Sequence, residues 1–207
     1  MFELVLTMPR TGSTYYVKNQ ARDLEIQNHG ELFHTNRKKH TERILKSTDF
    51  QNSILKIFPS HIRHSTYKNL MEDLFAMNPT VTILLRKDFV ECTKSFYVAR
   101  HISEKAQRAM KGYNRYSKTT GEYIDPWHSS WDNHLEINLN QDIMNKYAET
   151  RMEEIQTLAT YKNKMDRLIF TEDFPQELKY KRPIRWNPEP IIQDIDVLEL
   201  FEQTASN

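Results

Sequence analysis

Leu6-Thr7-Met8-Pro9-Arg10-Thr11-Gly12-Ser13-Thr14-Tyr15 is the stretch on which the fold turns. It joins a short β-prone run, Phe2 to Thr7, to a helical pattern from Ser13 to Leu24 that offers Tyr16, Ala21 and Leu24 to a buried face. Pro9-Arg10-Thr11-Gly12 ends the strand abruptly. A strand that turns straight into a helix leaves the first helical N–H groups, and the positive end of the helix dipole, facing whatever occupies the turn. Gly12 lets the backbone come close to such a ligand. Thr11, Ser13 and Thr14 add hydroxyl donors, and Arg10 adds a permanent charge with a planar fork of N–H groups. The set suits a tetrahedral oxyanion. The Gly-Lys-Ser/Thr ending of the ordinary nucleoside triphosphate loop is absent, and the turn is shorter.

Working outward, Ser53 to Phe58 reads as a second strand stopped by Pro59, Val81 to Leu85 as a third, and Leu168 to Phe170 as a fourth. The near-continuous apolar character of Val81 to Leu85 fits a parallel strand covered on both faces. Helical patterns run over Thr41 to Lys46, Ser60 to Met77, and Phe89 to about Ile102 with Asp88 as its cap. A long amphipathic one spans Asp142 to Met165, with Met144, Tyr147, Ala148, Met152, Ile155 and Leu158 on one face. A last helix is expected over Ile195 to Gln203, and Asn28-His29-Gly30 reads as a turn. Strands alternating with helices predict an α/β fold: one three-layer domain over residues 1–207, a parallel sheet flanked by helices. Ligands in such folds bind beyond the carboxyl ends of the strands. Residues 111–133 have no clean period and carry Gly112, Gly121, Pro126, Trp127 and Trp131. The part from Tyr113 to Trp131 is expected to form a lid or a wall for an acceptor.

A chain of 207 residues supports one well-buried core. The formal net charge of +1 provides no global field for a nucleic acid polymer or an anionic membrane, so an anion site must be built locally. Cys92 is the single cysteine, which excludes an intramolecular disulfide and a cysteine-based zinc cluster; no metal is expected. Phe2 to Met8 is too short for a signal-peptide core or a membrane span, and no other run reaches spanning length. A soluble, cytoplasmic protein is expected.

Pro9 to Tyr15 resembles, position by position, the 5′-phosphosulfate loop of sulfotransferases that use 3′-phosphoadenosine 5′-phosphosulfate (PAPS) and release PAP. A second stretch, Arg86-Lys87-Asp88-Phe89-Val90-Glu91-Cys92-Thr93-Lys94-Ser95, is similar to the family's 3′-phosphate segment, most closely in its bacterial-type branch. The resemblance implies a P-loop-like nucleotide-binding fold. In it Arg10, Thr11, Gly12, Ser13, Thr14 and Tyr15, with Arg86 and Ser95, hold the co-substrate. Nine helical residues rise about 13 Å, so Ser95 shares a phosphate with Arg86 only if the chain turns back over the site. Lys94 is the alternative at a spacing one residue shorter.

The resemblance also implies the chemistry: transfer of a sulfuryl group to a hydroxyl or amine on a small-molecule, glycan or lipid acceptor. Arg10 is the first choice to meet charge on the leaving oxygen, and Lys56 on the second strand is the second. Phe58 stands where the cytosolic branch has its catalytic histidine, and His61 and His64 lie just beyond it. Gly30-Glu31-Leu32-Phe33 is similar to a bacterial-type stretch whose carboxylate faces the acceptor, which makes Glu31 the leading base. Leu168 to Phe174 resembles a late strand followed by acids that cap a helix, and Lys181-Arg182-Pro183-Ile184-Arg185 reads as a solvated basic turn. The match is good over the first hundred residues and weak over the rest. Two alternatives stand beside it. A P-loop phosphotransferase would need magnesium ligands and the Lys-Ser/Thr ending. A silent PAP- or nucleotide-binding module would keep Arg10, Arg86 and Ser95 without a base.

Overall fold

The computed structural model describes residues 1–33, 40–109, 135–174 and 184–204, with side chains described outside 101–109, 135–136 and 184–185. The segment from Tyr113 to Trp131 and the basic residues Lys181 and Arg182 lie outside the described residues. The described chain forms two compact units.

The first unit holds a five-stranded parallel sheet of β1 (Phe2–Thr7), β2 (Gln27–Gly30), β3 (Ser53–Ile57), β4 (Thr80–Leu85) and, counting along the whole chain, β6 (Arg167–Phe170), in the order β2-β3-β1-β4-β6. Every residue of β1 and β3 is buried, as strands covered on both faces must be. Register pairs Val5 with Lys56 and Glu3 with Ile54 across β1 and β3, and Thr7 with Leu84 across β1 and β4. Alternation therefore puts Glu3, Val5, Thr7, Ile54, Lys56 and Leu84 on one face. Helix α1 (Ser13–Asp23) covers that face, packing Tyr16, Val17 and Ala21 against Val5, Ile54 and Leu84. Leu4, Leu6 and Leu55 fill the opposite face with no exposed surface. The connection leaving β1 runs toward β2, whereas those leaving β3 and β4 run the other way. With right-handed crossovers these connections take opposite faces of the sheet, and the turn after β1 opens where they part.

The architecture is the expected α/β one, with local differences. Asn28-His29-Gly30 is a bulged edge strand as well as a turn: Asn28 Oδ1 accepts from Gly30 N at 2.8 Å, Gly30 has φ 56°, and the β2–β3 register shifts there. The single helix expected from Ser60 to Met77 is two, α3 (Pro59–His64) and α4 (Leu70–Ala76), with α2 (Thr41–Ser47) before them. Ser65 causes the break, because its hydroxyl accepts from Tyr67 N at 3.0 Å and donates to Tyr67 O at 3.1 Å, competing with helical pairing. Helix α5 (Phe89–Ala109) runs further than its periodicity indicated, and α6 (Gln141–Ala159) stops sooner, passing into a 3₁₀ turn at Lys162–Lys164. The last helix, α7, is Val197–Thr204.

The second unit contains a parallel pair that the sequence reading did not contain, β5 (Leu135–Asn138) with β7 (Ile184–Asn187). Its core gathers Tyr97 and Val98 of α5, Ile137, and Met144 of α6, with Tyr147 and Trp186 against them. Cys92 is buried and reduced. Among the described residues no helix is long and apolar enough to cross a membrane.

Candidate anion-binding site

The turn between β1 and α1 is held from inside by its own carbonyls. Thr11 is fully buried, and its hydroxyl donates to Met8 O at 2.9 Å and meets Thr7 Oγ1 at 2.7 Å. Thr7 Oγ1 in turn donates to Leu84 O on β4 at 2.9 Å. The Thr171 hydroxyl, just past β6, reaches both Thr11 O at 2.6 Å and Leu85 O at 3.1 Å. Met8 O and Thr11 O are both engaged within the protein. The Thr11 hydroxyl is thus spent on the turn itself, and what this residue offers a ligand is its backbone.

Two residues here take left-handed backbone: Arg10 at φ 73° and Gly12 at φ 71°. At the second it is this backbone, not lack of room, that asks for glycine: a Cβ on Gly12 would make ordinary contact with Thr171 Cγ2 at 3.4 Å and the Phe174 ring at 3.5 Å. Helix α1 then begins without a side-chain cap and without an acidic residue in its first turn. Tyr15 N and Tyr16 N both donate to Gly12 O, at 3.0 and 3.1 Å, while Ser13 and Thr14 occupy the positions whose N–H groups have no intrahelical acceptor. Ser13 is buried and Thr14 exposed. Tyr15 is half-buried and leans on Phe174, ring centroids 6.0 Å apart.

Lys56 comes up to this helix end from β3. Its side chain is only 5% exposed, yet its ammonium donates to Thr14 Oγ1 at 2.8 Å and lies 3.0 Å from Glu31 Oε1, whose side chain is 34% exposed. The register explains the placement: Lys56 is paired with Val5 on the α1 face, one residue before β3 ends, so its stem runs under α1 toward the turn. Phe58 lies against it, with Lys56 Nζ 5.4 Å from the ring centroid. Thr14, Lys56 and Glu31, which the sequence reading took from three separate segments, therefore form one connected group.

Arg86 follows β4 directly, beside the Leu85 carbonyl that shares the Thr171 hydroxyl with the turn. It is half-buried and has no hydrogen-bond or ion-pair partner among the described residues. Glu172 accepts from Lys87 N at 3.0 Å and Asp88 N at 3.1 Å, so the late acidic residue does cap the entry to α5. Ser95 lies on α5 in the second unit and is half-buried; in the same unit Lys94 pairs with Glu189 at 2.9 Å.

The histidines separate. His64 is exposed, whereas His61 is buried rather than on the surface. Phe58 N donates to His61 Nδ1 at 3.3 Å, and the two rings lie tilted by 36° with centroids 4.8 Å apart. His61 Nδ1 is thus engaged in capping the first turn of α3.

Thr171 and Phe174 were given no part in the site by sequence. Their signal was their place just past a strand's carboxyl end, where the sheet brings its loops together.

No protein-family model matches the chain, and no curated protein matches it.

Proposed function

We propose that the protein is a PAPS-dependent sulfotransferase with a P-loop-like nucleotide site, the β1–α1 turn receiving the 5′-phosphosulfate. The observation that carries this reading is the ammonium of Lys56, set between the uncapped start of α1 at Thr14 and the carboxylate of Glu31. An oxyanion over the turn meets fixed N–H dipoles and a desolvated positive charge, where both act more strongly than in water. The bond from the acceptor oxygen to sulfur forms as the bond from sulfur to the 5′-phosphate oxygen breaks. The acceptor proton passes to Glu31, and the charge growing on the leaving oxygen is met by Lys56 and the α1 amides. Lys56 takes precedence over Arg10 in that role because its ammonium donates to Thr14 Oγ1 at the helix start. Arg86, half-buried and unpartnered among the described residues, is assigned to the 3′-phosphate.

Calorimetry tests the nucleotide. PAP should bind without magnesium. ATP bound only with magnesium, and no PAP binding, would favour a phosphotransferase instead. Transfer of labelled sulfate from PAPS to a panel of hydroxyl and amine acceptors then separates an enzyme from a silent binding module. Arg86→Ala should weaken PAP by about 1.5–3 kcal/mol, the value of a hydrogen bond to a charged group, and adenosine 5′-phosphosulfate much less. Equal losses for the two ligands would remove Arg86 from the 3′-phosphate.

A further inference from the structure

Pro9 O, the carbonyl of the peptide that leads into the left-handed Arg10, is held from a distant part of the chain. Arg151 of α6 donates to it from Nη1 at 3.3 Å. Arg151 is 1% exposed, and its Nη2 lies 2.7 Å from Oε2 of Glu154, one helical turn on. The adjoining positions Ile155 and Leu158 are fully buried, so this charge sits in the middle of an apolar helical stripe. Burying a guanidinium and a carboxylate is costly even when they pair, and well-packed apolar residues serve stability as well or better. Burial pushes the Glu154 carboxyl up to about 6 although Arg151 and Arg63 pull it down, which marks the surroundings as dry. A pair so placed needs a purpose other than packing, and the backbone it touches supplies one. Arg10 follows Pro9 directly and holds φ 73°, a region that costs a non-glycine residue free energy and persists only where neighbours enforce it.

We infer that Arg151 is a positioning residue, fixing the Pro9–Arg10 peptide so that the turn keeps its amides outward for an oxyanion. With Arg151 in place, Met8 O, Pro9 O and Thr11 O are each tied inward, by Thr11, Arg151 and Thr171 in turn. Glu154 neutralises the guanidinium and holds its orientation. The inference rests on the proposed function only in its choice of PAP as probe.

The test replaces the whole pair, Arg151→Met with Glu154→Leu, so that no lone charge is left buried. A mere core pair predicts unchanged or higher Tm and unchanged PAP affinity. A positioning pair predicts the same Tm with PAP affinity lowered about tenfold or more, and altered backbone amide shifts confined to Arg10–Thr14. Arg151→Lys provides a second variant should the double one fail to fold. It keeps a cation beside Glu154 but lacks the fork that reaches Pro9 O as well, so it should also lose PAP affinity while keeping its Tm. Native PAP affinity in either folded variant overturns the inference. If the native protein itself does not bind PAP, the functional proposal fails. The amide shifts then decide this one alone: displaced shifts at Arg10–Thr14 support it, and native shifts overturn it.

Discussion

Two charges are buried on the same face of the sheet, under the same helix, and they are handled in opposite ways. Glu3 on β1 has no exposed surface. Its Oε1 accepts from Tyr16 OH at 2.9 Å and Thr82 Oγ1 at 2.9 Å, and lies 3.0 Å from Arg167 Nη2. Burial, and then the Glu3 charge, push the Tyr16 hydroxyl up to about 12, so it stays a donor. Two of its donors, Tyr16 on the inner side of α1 and Thr82 on β4, are buried, while Arg167, the first residue of β6, is 43% exposed at the amino end of the sheet. Lys56, paired with Val5 two residues further along β1, is nearly as deeply buried, but its partners Thr14 and Glu31 lead outward to solvent. Burial alone therefore does not separate a structural charge from a functional one. What separates them is the end of the sheet at which the exposed partner stands: Arg167 begins β6, whereas Thr14 and Glu31 stand at the carboxyl end with the β1–α1 turn.

The sharpest way to break this contrast is at the carboxyl end of the sheet. Glu31→Gln keeps the shape and removes the proton acceptor, so turnover should fall by about 10²–10⁴-fold, the range for loss of a general base. PAP affinity measured by calorimetry should stay near native. If turnover survives in Glu31→Gln, the outward-leading partner is not the base.

Lys56→Met comes next. Removing a donor aimed at developing charge costs on the order of 10²–10³ in turnover. Melting should change little, because the carboxylate left behind is partly exposed and can be solvated. Single-turnover rates together with a thermal scan check both halves. A large loss of Tm with normal turnover per folded molecule would class Lys56 with Glu3.

The reverse is expected at the amino end. Glu3→Ala leaves the hydroxyls of Tyr16 and Thr82 without their acceptor, at about 1–3 kcal/mol each. Urea unfolding should show that loss while turnover of the folded fraction remains native. A specific loss of turnover would mean that the network reaches the site after all.

The smallest effect concerns pH. Burial raises the folded-state value of Glu154 from 4.5 to about 6, so between these two values the folded protein holds more proton than the unfolded chain. Stability should accordingly decline as pH rises from 4.5 to 6 and level off above, by about 2 kcal/mol at 1.36 kcal/mol per unit. Glu154→Gln should lack that decline. Denaturant curves across this range that are parallel for the two proteins would show that Glu154 titrates normally.

Much of the sheet was legible because parallel strands buried on both faces are apolar runs, and β1, β3 and β4 are such runs. β2 escaped since Gln27-Asn28-His29-Gly30 is polar and at the edge, where only one neighbour is needed. β5 and β7 escaped because they are short and find each other across a long stretch of chain. Among site residues, the turn from Pro9 to Thr14 could be read locally, since left-handed backbone, a missing cap and a helix start are properties of adjacent residues. Arg151 could have been noticed, together with Glu154, as a charge lying among Ala148, Ile155 and Leu158 on the inner face of α6, but nothing local says that it meets Pro9.

By itself the sequence determined the strand–turn–helix unit, the apolar centre of the sheet and the kinds of side chain available for an oxyanion, because propensity, capping and period act over a few residues. Only the tertiary structure decided which of those side chains meet. Strand order and register set Lys56 beneath Thr14 and beside Glu31, turned His61 inward onto Phe58 N, and brought Thr171 to the carbonyls of Thr11 and Leu85. Such contacts depend on which strands become neighbours, and that is fixed by how the whole core packs.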